Sequence, residues 1–345
     1  MRNIKPLTKT PIALSDAIKA KSFALKRAFI SKARGRILEE ARRDFGINFR
    51  LELPYGSLLR SHDGRDGTFY PTHNEGLFSC LTTFMWSIMD LYRLGQKCYI
   101  VDNSMGMNDF KQEPGTSTWY ELFEKRSAED IHNLMTERPL TEIDPRAGGL
   151  CRRGLGQWPE YMMFDHHGNY SEVVQKQIGL SWANAFLQAY LTPSRNVREI
   201  CERFDEECRI SSTPTISVYY RGTDKFLEVE PTPLEDYYDV IDRHLEKRPQ
   251  LEILIQTDQE QVLNCFLNRY GSKAKYIKEL PVSRGSIAIH KDSSICGDRG
   301  EFAKRLYAMC EAISNSDVVV TNTGNVGFFV ALLATTKQRS VVQLR

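Results

Sequence analysis

Arginine, glycine, threonine, aspartate and lysine follow one another at Arg221-Gly222-Thr223-Asp224-Lys225, directly after the β-prone run Ile216-Ser217-Val218-Tyr219-Tyr220. A guanidinium is a planar fork of donors that grips two phosphate oxygens at once, and Lys225 adds a second positive charge nearby. That is the chemistry a departing diphosphate requires. Two more polar clusters follow similar apolar runs. Gln256-Thr257-Asp258 comes after Ile253-Leu254-Ile255. Asp258 is suited to accept hydrogen bonds from a base or a ribose, and equally to cap the helix that begins near Glu260. Thr321-Asn322-Thr323-Gly324-Asn325-Val326 is a small, polar turn between an apolar run and an apolar helix. Backbone amides at such a helix start attract anions, although capping by Thr323 or Asn325 accounts for the same letters.

The elements that must position these clusters alternate. Apolar and β-branched runs predict strands over 215–220, 251–256, 276–280, 318–321 and 340–344, and helical periodicity predicts helices over 234–245, 261–270, 301–313 and 326–334. Such alternation implies right-handed crossovers and a parallel, doubly wound sheet, whose ligands bind beyond the C-terminal strand edges. All three clusters lie at those edges. Upstream the pattern is less regular. Residues 14–45 read as an amphipathic helix with a basic face. The polar loop 61–67 leads through Pro71-Thr72-His73-Asn74-Glu75-Gly76 into a helix over 77–94. A short strand is expected over 97–102, ending in Asp102, and loops with short helices over 105–169. Helical patterning returns over 170–204 and breaks at Pro193.

A chain of 345 residues is longer than a single core usually grows, so two domains are expected. Hydrophobic residues at 41% and charged residues at 26% exclude wholesale disorder. With 46 Lys and Arg against 44 Asp and Glu there is no basic excess, which argues against a nucleic-acid partner. Eight scattered cysteines without zinc spacing read as reduced core thiols. His166-His167 reads as a loop pair, since adjacent side chains diverge too far to share one metal. Neither a P-loop nor a Gly-x-Gly-x-x-Gly after a strand occurs. The N-terminal stretch lacks the apolar run of a signal peptide or membrane-spanning segment, so a cytoplasmic protein is expected.

The segment 216–225, with Pro233-Leu234-Glu235-Asp236-Tyr237-Tyr238 downstream, resembles the strand, arginine signature and helix of the superfamily of α1,6-, Nod-factor and protein O-fucosyltransferases. Leu254-Ile255-Gln256-Thr257-Asp258 is similar to that family's next strand end, and Ser316-Asp317-Val318-Val319-Val320-Thr321-Asn322-Thr323 to its late strand and turn. The likeness spans roughly the last 140 residues. In the first half only Asn74-Glu75-Gly76-Leu77-Phe78-Ser79 resembles the family, at its first loop.

The resemblance implies an α/β protein of GT-B fold, with two Rossmann-like domains facing a cleft. Residues 1–205 would form the acceptor side, and 206–345 the domain that binds a nucleotide sugar. It implies a metal-independent, inverting transferase moving fucose from GDP-fucose to a glycan or other hydroxyl acceptor, with no cofactor. Arg221 matches the arginine on the donor β-phosphate, Asp258 an acid of the donor site, and Thr323, Gly324, Asn325 and Val326 the phosphate-touching loop. Asn74, Gly76, Ser79, Tyr219, Thr223 and Asp224 complete the expected donor site. Lys225 assists Arg221 on the leaving diphosphate, and Glu228 or Glu230 removes the acceptor proton, with spacing back from Pro233 favouring Glu228. Tyr219 stands where relatives often carry histidine, and Gly222 where some carry a second arginine. The Asp-x-Asp metal clamp of many other sugar transferases is absent. Trp119, Tyr120, Trp158 and His166 are expected to shape the acceptor pocket. Two alternatives remain: a GT-B transferase for another nucleotide sugar, and a non-catalytic carbohydrate-binding protein on the same fold.

Overall fold

Three consecutive valines, Val318-Val319-Val320, make a segment that is buried on both faces, and the same is true of Thr215–Tyr220. Such runs belong at the centre of a parallel sheet covered by helices on both sides, and that is where they lie. The computed structural model describes residues 49–53, 56–60, 67–93, 95–136, 169–222, 231–285 and 289–344. The larger sheet contains β5 (Thr215–Tyr220), β6 (Glu252–Thr257), β7 (Ala274–Lys275), β8 (Val318–Asn322) and β9 (Ser340–Leu344). Its order is β7-β6-β5-β8-β9, and each neighbouring pair is parallel. A smaller sheet, ordered β1-β2-β3-β4, holds β1 (Phe49–Leu53), β2 (Gly56–Arg60), β3 (Gly67–Pro71) and β4 (Ile100–Val101), with β3 and β4 parallel.

Among the described residues the α-helices are α1 (Leu77–Arg93), α2 (Trp119–Leu122), α3 (Ala128–Thr136), α4 (Tyr170–Glu172), α5 (Leu180–Tyr190), α6 (Arg195–Cys208), α7 (Leu234–Lys247), α8 (Glu260–Tyr270), α9 (Ser293–Cys296), α10 (Arg299–Ser314) and α11 (Asn325–Thr336). A π-helical segment, Val173–Gly179, joins α4 to α5. Strand alternation sorts the two faces of the large sheet. Ile216, Val218 and Tyr220 meet Tyr237, Val240 and Ile241 of α7 and Val262, Leu263 and Phe266 of α8 in one apolar cluster. Tyr219 and Val319 join a second cluster, with α10 and α11. That second cluster continues through α1, α5 and α6 to Phe69 and Val101 of the small sheet. Helix α11 is buried almost all round, from Val326 to Thr335, as a helix between two apolar layers must be.

The chain divides into two units, Met1–Arg50 with Arg60–Arg65 and Leu51–Leu59 with Asp66–Arg345, and the arrangement above is that of the second. Most sequence-predicted elements of the C-terminal half are observed within a residue or two. The expected strand over 276–280 is not. β7 ends at Lys275, and Ile277 and Leu280 instead close a turn in which the Leu280 amide donates to the Ile277 carbonyl (3.3 Å). Their spacing of three suits a turn, whereas a strand needs two. The expected strand over 97–102 is confined to Ile100–Val101. The helix over 14–45, the loop residues 61–66, Trp158 and His166-His167 lie outside the described residues.

Among the described residues seven cysteines are free; Cys80, Cys98, Cys208, Cys296 and Cys310 are buried, whereas Cys265 is exposed and so is not the core thiol expected from sequence. Burial pushes the Cys98 and Cys201 thiols up to about 12, so they are ordinary core thiols. Among the described residues no helix is long and apolar enough to cross a membrane.

Candidate functional site

Counted from β5, the large sheet runs third, second, first, fourth, fifth, so the strand order reverses between β5 and β8. Crossovers leave β5 toward one side and β8 toward the other, which opens a crevice beyond their C-terminal ends. The register Val218↔Val320 makes Tyr220 and Asn322, two residues further along each strand, the lips of that crevice. Arg221 follows one lip and Thr323-Gly324-Asn325 the other.

The Arg221 side is fixed by β6. Tyr220 pairs with Thr257, and the next carboxylate, Asp258, accepts the Gly222 amide through Oδ1 (2.9 Å). The Asp258 carbonyl accepts the Ser283 amide (2.8 Å), and Thr257 Oγ1 accepts the Gln259 amide (3.2 Å). Asp258 therefore acts here as the brace of the β5 turn. Arg221 is half-buried at the strand exit. Burial, reinforced by the negative charge of Asp258, raises the Tyr220 phenol and keeps it protonated. Replacing Asp258 by alanine is expected to cost about 1–2 kcal/mol by orphaning the Gly222 amide, whereas Asp258→Asn keeps an acceptor oxygen and most of the stability. Urea unfolding midpoints of the two variants check this.

The opposite lip is a helix start whose N-cap residue is a glycine. Gly324, the N-cap of α11, has φ 148° and ψ 171°, a conformation open almost only to glycine, and it has no side chain of its own to cap the helix. Its carbonyl accepts the Phe328 amide (2.8 Å), which begins the helical ladder after Asn325, Val326 and Gly327. A Cβ on Gly327 would sit 2.0 Å from the Asn322 carbonyl oxygen, so that glycine lets the first turn of α11 lie against the end of β8. Amides aimed past a strand end, with the helix dipole behind them, form an anion seat.

The N-terminal half contributes a second helix start. The Phe78 and Phe329 rings, in the opening turns of α1 and α11, lie 5.2 Å apart. This brings the loop before α1 toward the Gly324 turn. In that loop His73 Nε2 and Ser79 Oγ share a hydrogen bond (2.8 Å), and Asn74 Oδ1 accepts the Asn108 amide (3.1 Å). Gly76 supplies the carbonyl for Cys80 (3.1 Å). Beside it, Asp102 accepts the Ser104 amide (2.8 Å), and the buried Lys111 donates to the Asn103 carbonyl, burial drawing its ammonium down to about 8. Asn103 Oδ1 takes the Thr118 and Trp119 amides (2.7 and 3.1 Å), which fixes the aromatic pair Trp119–Tyr120 to the end of β4.

Of the sequence-predicted residues, Tyr219, Arg221 and Asp258 lie on adjacent strand ends and Thr323, Gly324, Asn325 and Val326 on the facing turn; Asn74, Gly76 and Ser79 lie on the loop and first turn of α1. Tyr219 is buried in the core cluster shared with α10 and α11. Thr223, Asp224, Lys225, Glu228 and Glu230 lie outside the described residues. Two residues escaped the sequence reading. Gly327 was available in the Gly324-x-x-Gly327 spacing. Tyr170, whose Oη accepts the Gly324 amide (2.9 Å), had no local signal, because its partner is 154 residues away.

No protein-family model matches the chain, and no curated protein does. Among solved structures the chain is similar to the NodZ α-1,6-fucosyltransferase soaked with GDP-fucose, at 14% identity over 77% of this chain and 91% of that one, with a TM-score of 0.46. It is similar to fucosyltransferase NodZ from Bradyrhizobium at 13% identity, over 77% and 92% of the two chains, TM-score 0.44. To POFUT1 in complex with GDP-fucose it is similar at 10% identity over 49% of this chain and 50% of that one, TM-score 0.31.

Proposed function

We propose that the chain is a metal-independent, inverting glycosyltransferase of GT-B type that transfers fucose from GDP-fucose to a hydroxyl acceptor. The observation that carries this reading is the placement of a guanidinium and a glycine-started helix on the two lips of one strand-order reversal. The first supplies two parallel donors and the second a row of amides. Together they suit a diphosphate in both shape and charge. The sequence resemblance over the last 140 residues supplies the sugar and the base.

In this mechanism the diphosphate leaves with its growing negative charge held by Arg221, by Lys225 and by the amides at the start of α11. Preorganised donors of this kind need no rearrangement as the bond breaks. Glu228 takes the proton of the acceptor hydroxyl, which attacks the anomeric carbon from the face opposite the departing phosphate. One displacement inverts that carbon. Residues 206–345 form the donor side. Residues 1–205 form the acceptor side, with the half-buried Tyr120 offering an aromatic face to a sugar or other apolar-faced acceptor. Trp119, expected from sequence to share that role, is instead buried in the core against Phe84 and Phe123.

A nucleoside diphosphate that binds only the folded chain raises its melting temperature, by the equivalent of about 2.7 kcal/mol at a hundredfold excess over Kd. A thermal-shift series with GDP, UDP, ADP and dTDP is expected to single out GDP. Acceptor-dependent release of GDP from GDP-fucose then establishes transfer. A shift with none of the four, together with no nucleotide release from any sugar donor, leaves a non-catalytic carbohydrate-binding protein as the reading.

A further inference from the structure

Tyr170 is buried, 5% exposed, and it reaches the turn at which α11 begins. Its phenolic oxygen accepts the Gly324 amide at 2.9 Å, and its ring meets Phe328 edge-on at 5.4 Å and 87°. Three further contacts hold it there. Its own amide donates to Gln343 Oε1 at the end of β9 (2.7 Å), the next residue, Ser171, shares a hydroxyl hydrogen bond with Thr335 (2.9 Å), and Asn169 caps the turn by accepting the Ser171 amide (2.8 Å). The chain immediately beyond adopts the uncommon π-helical form, Val173–Gly179, ended by Gly179 at φ 86°. Such segments cost more than an α-helix and accompany functional sites.

A phenol oxygen that accepts one hydrogen bond still has a proton to give. Among the described residues no hydrogen bond takes it. Burial pushes the phenol up to about 12, so at neutral pH the group remains a proton donor. Accepting the Gly324 amide also polarises the O–H bond and makes it a stronger donor.

We propose that the Tyr170 hydroxyl, while accepting the Gly324 amide, donates its own proton to a phosphate oxygen of the nucleoside diphosphate seated at the start of α11. The inference rests on the donor-site reading above and deepens it: Tyr170 joins Arg221 as a side-chain contact to the diphosphate, approaching from outside the two strand ends. Loss of a strut that merely held the turn would also weaken GDP more than guanosine, because that turn is the phosphate seat. The two roles part only when the phenol is made a stronger donor and a weaker acceptor.

Binding of GDP and of guanosine to the whole chain, with Tyr170→Phe and with 3-fluorotyrosine at position 170 beside it, separates these cases. For Tyr170→Phe the expected result is a Kd for GDP weakened about tenfold, equivalent to about 1.4 kcal/mol, with guanosine affected little. An unchanged ratio of the two affinities overturns the assignment. 3-Fluorotyrosine at position 170 keeps the shape, sharpens the proton donor and weakens the acceptor that holds the Gly324 amide. A phosphate contact then tightens GDP relative to guanosine. A strut leaves that ratio unchanged or weakens GDP, and either of those results overturns the assignment. GDP binding to the unaltered chain with an insensitive Tyr170 removes only this contact, whereas no GDP binding at all removes both it and the donor-site reading.

Discussion

Replacing Arg221 by alanine is expected to lower turnover roughly a thousandfold, the scale seen when a fixed donor to a developing anion is removed. The melting temperature should change little. Arg221 is half-buried beyond the end of β5, while the residues that hold that strand, Ile216 and Val218, lie deep in the apolar cluster with α7 and α8. A cation in that position stabilises charge that appears only as the bond breaks, so its loss falls on kcat. Arg221→Lys keeps the charge but not the planar fork and should recover only a fraction of the activity. Single-turnover kinetics with thermal unfolding of the same preparations check both. A folded Arg221→Ala protein with near-normal kcat would take away the donor-site assignment.

The second large effect is one of fold. Gly327→Val forces a branched side chain into a space where even a Cβ would lie 2.0 Å from the Asn322 carbonyl oxygen and 2.8 Å from Thr321 Oγ1. Neither neighbour yields easily, since the first is backbone at the end of a buried central strand. Helix α11 must lift from β8, and because it is packed on its other side by α1 and α5 the displacement spreads into that layer. Overpacking of this kind costs about 3 kcal/mol. It should also abolish the anion seat, so the variant is expected to show a lowered urea midpoint and no nucleotide-induced shift. Gly327→Ala gives the same direction with a smaller amplitude.

How legible each part was depends on how local its cause is. Strands β5 and β8 could be read almost to the residue because a strand buried between helices needs an unbroken apolar run, and a polar residue at its exit marks its end. β9, a half-buried edge strand, was legible from its β-branched pair Val341-Val342. The three polar edges followed directly. β7 was misplaced because Tyr276-Ile277-Lys278-Glu279-Leu280 contains enough apolar character to pass for an edge strand, while the ladder with β6 stops at Leu254↔Lys275. Asp258 was legible as a site residue, but its grip on the Gly222 amide was not, since it depends on the register of β5 against β6. Tyr170 was illegible for a stronger reason. Its meaning lies wholly in its distance from Gly324, and within its own stretch it is one more aromatic on a helical face. The core shared by α1, α5, α6, α10 and α11 had a trace in sequence, the nearly uniform apolarity of Val326-Gly327-Phe328-Phe329-Val330-Ala331-Leu332-Leu333-Ala334, which suits a helix enclosed on all sides.

The pairing of β5 with β8 joins stretches about a hundred residues apart in the chain, with β6 and β7 on the far side of β5. A ribosome making this protein therefore releases Arg221 long before its counterpart at Gly324 exists, and the crevice is assembled only when the last crossover docks. Until then the inner edge of β5 is open for wrong pairing. Chaperone dependence, aggregation during expression and slow recovery from denaturant should accordingly track the arrival of residues 318–344 rather than the folding of the segments that precede them.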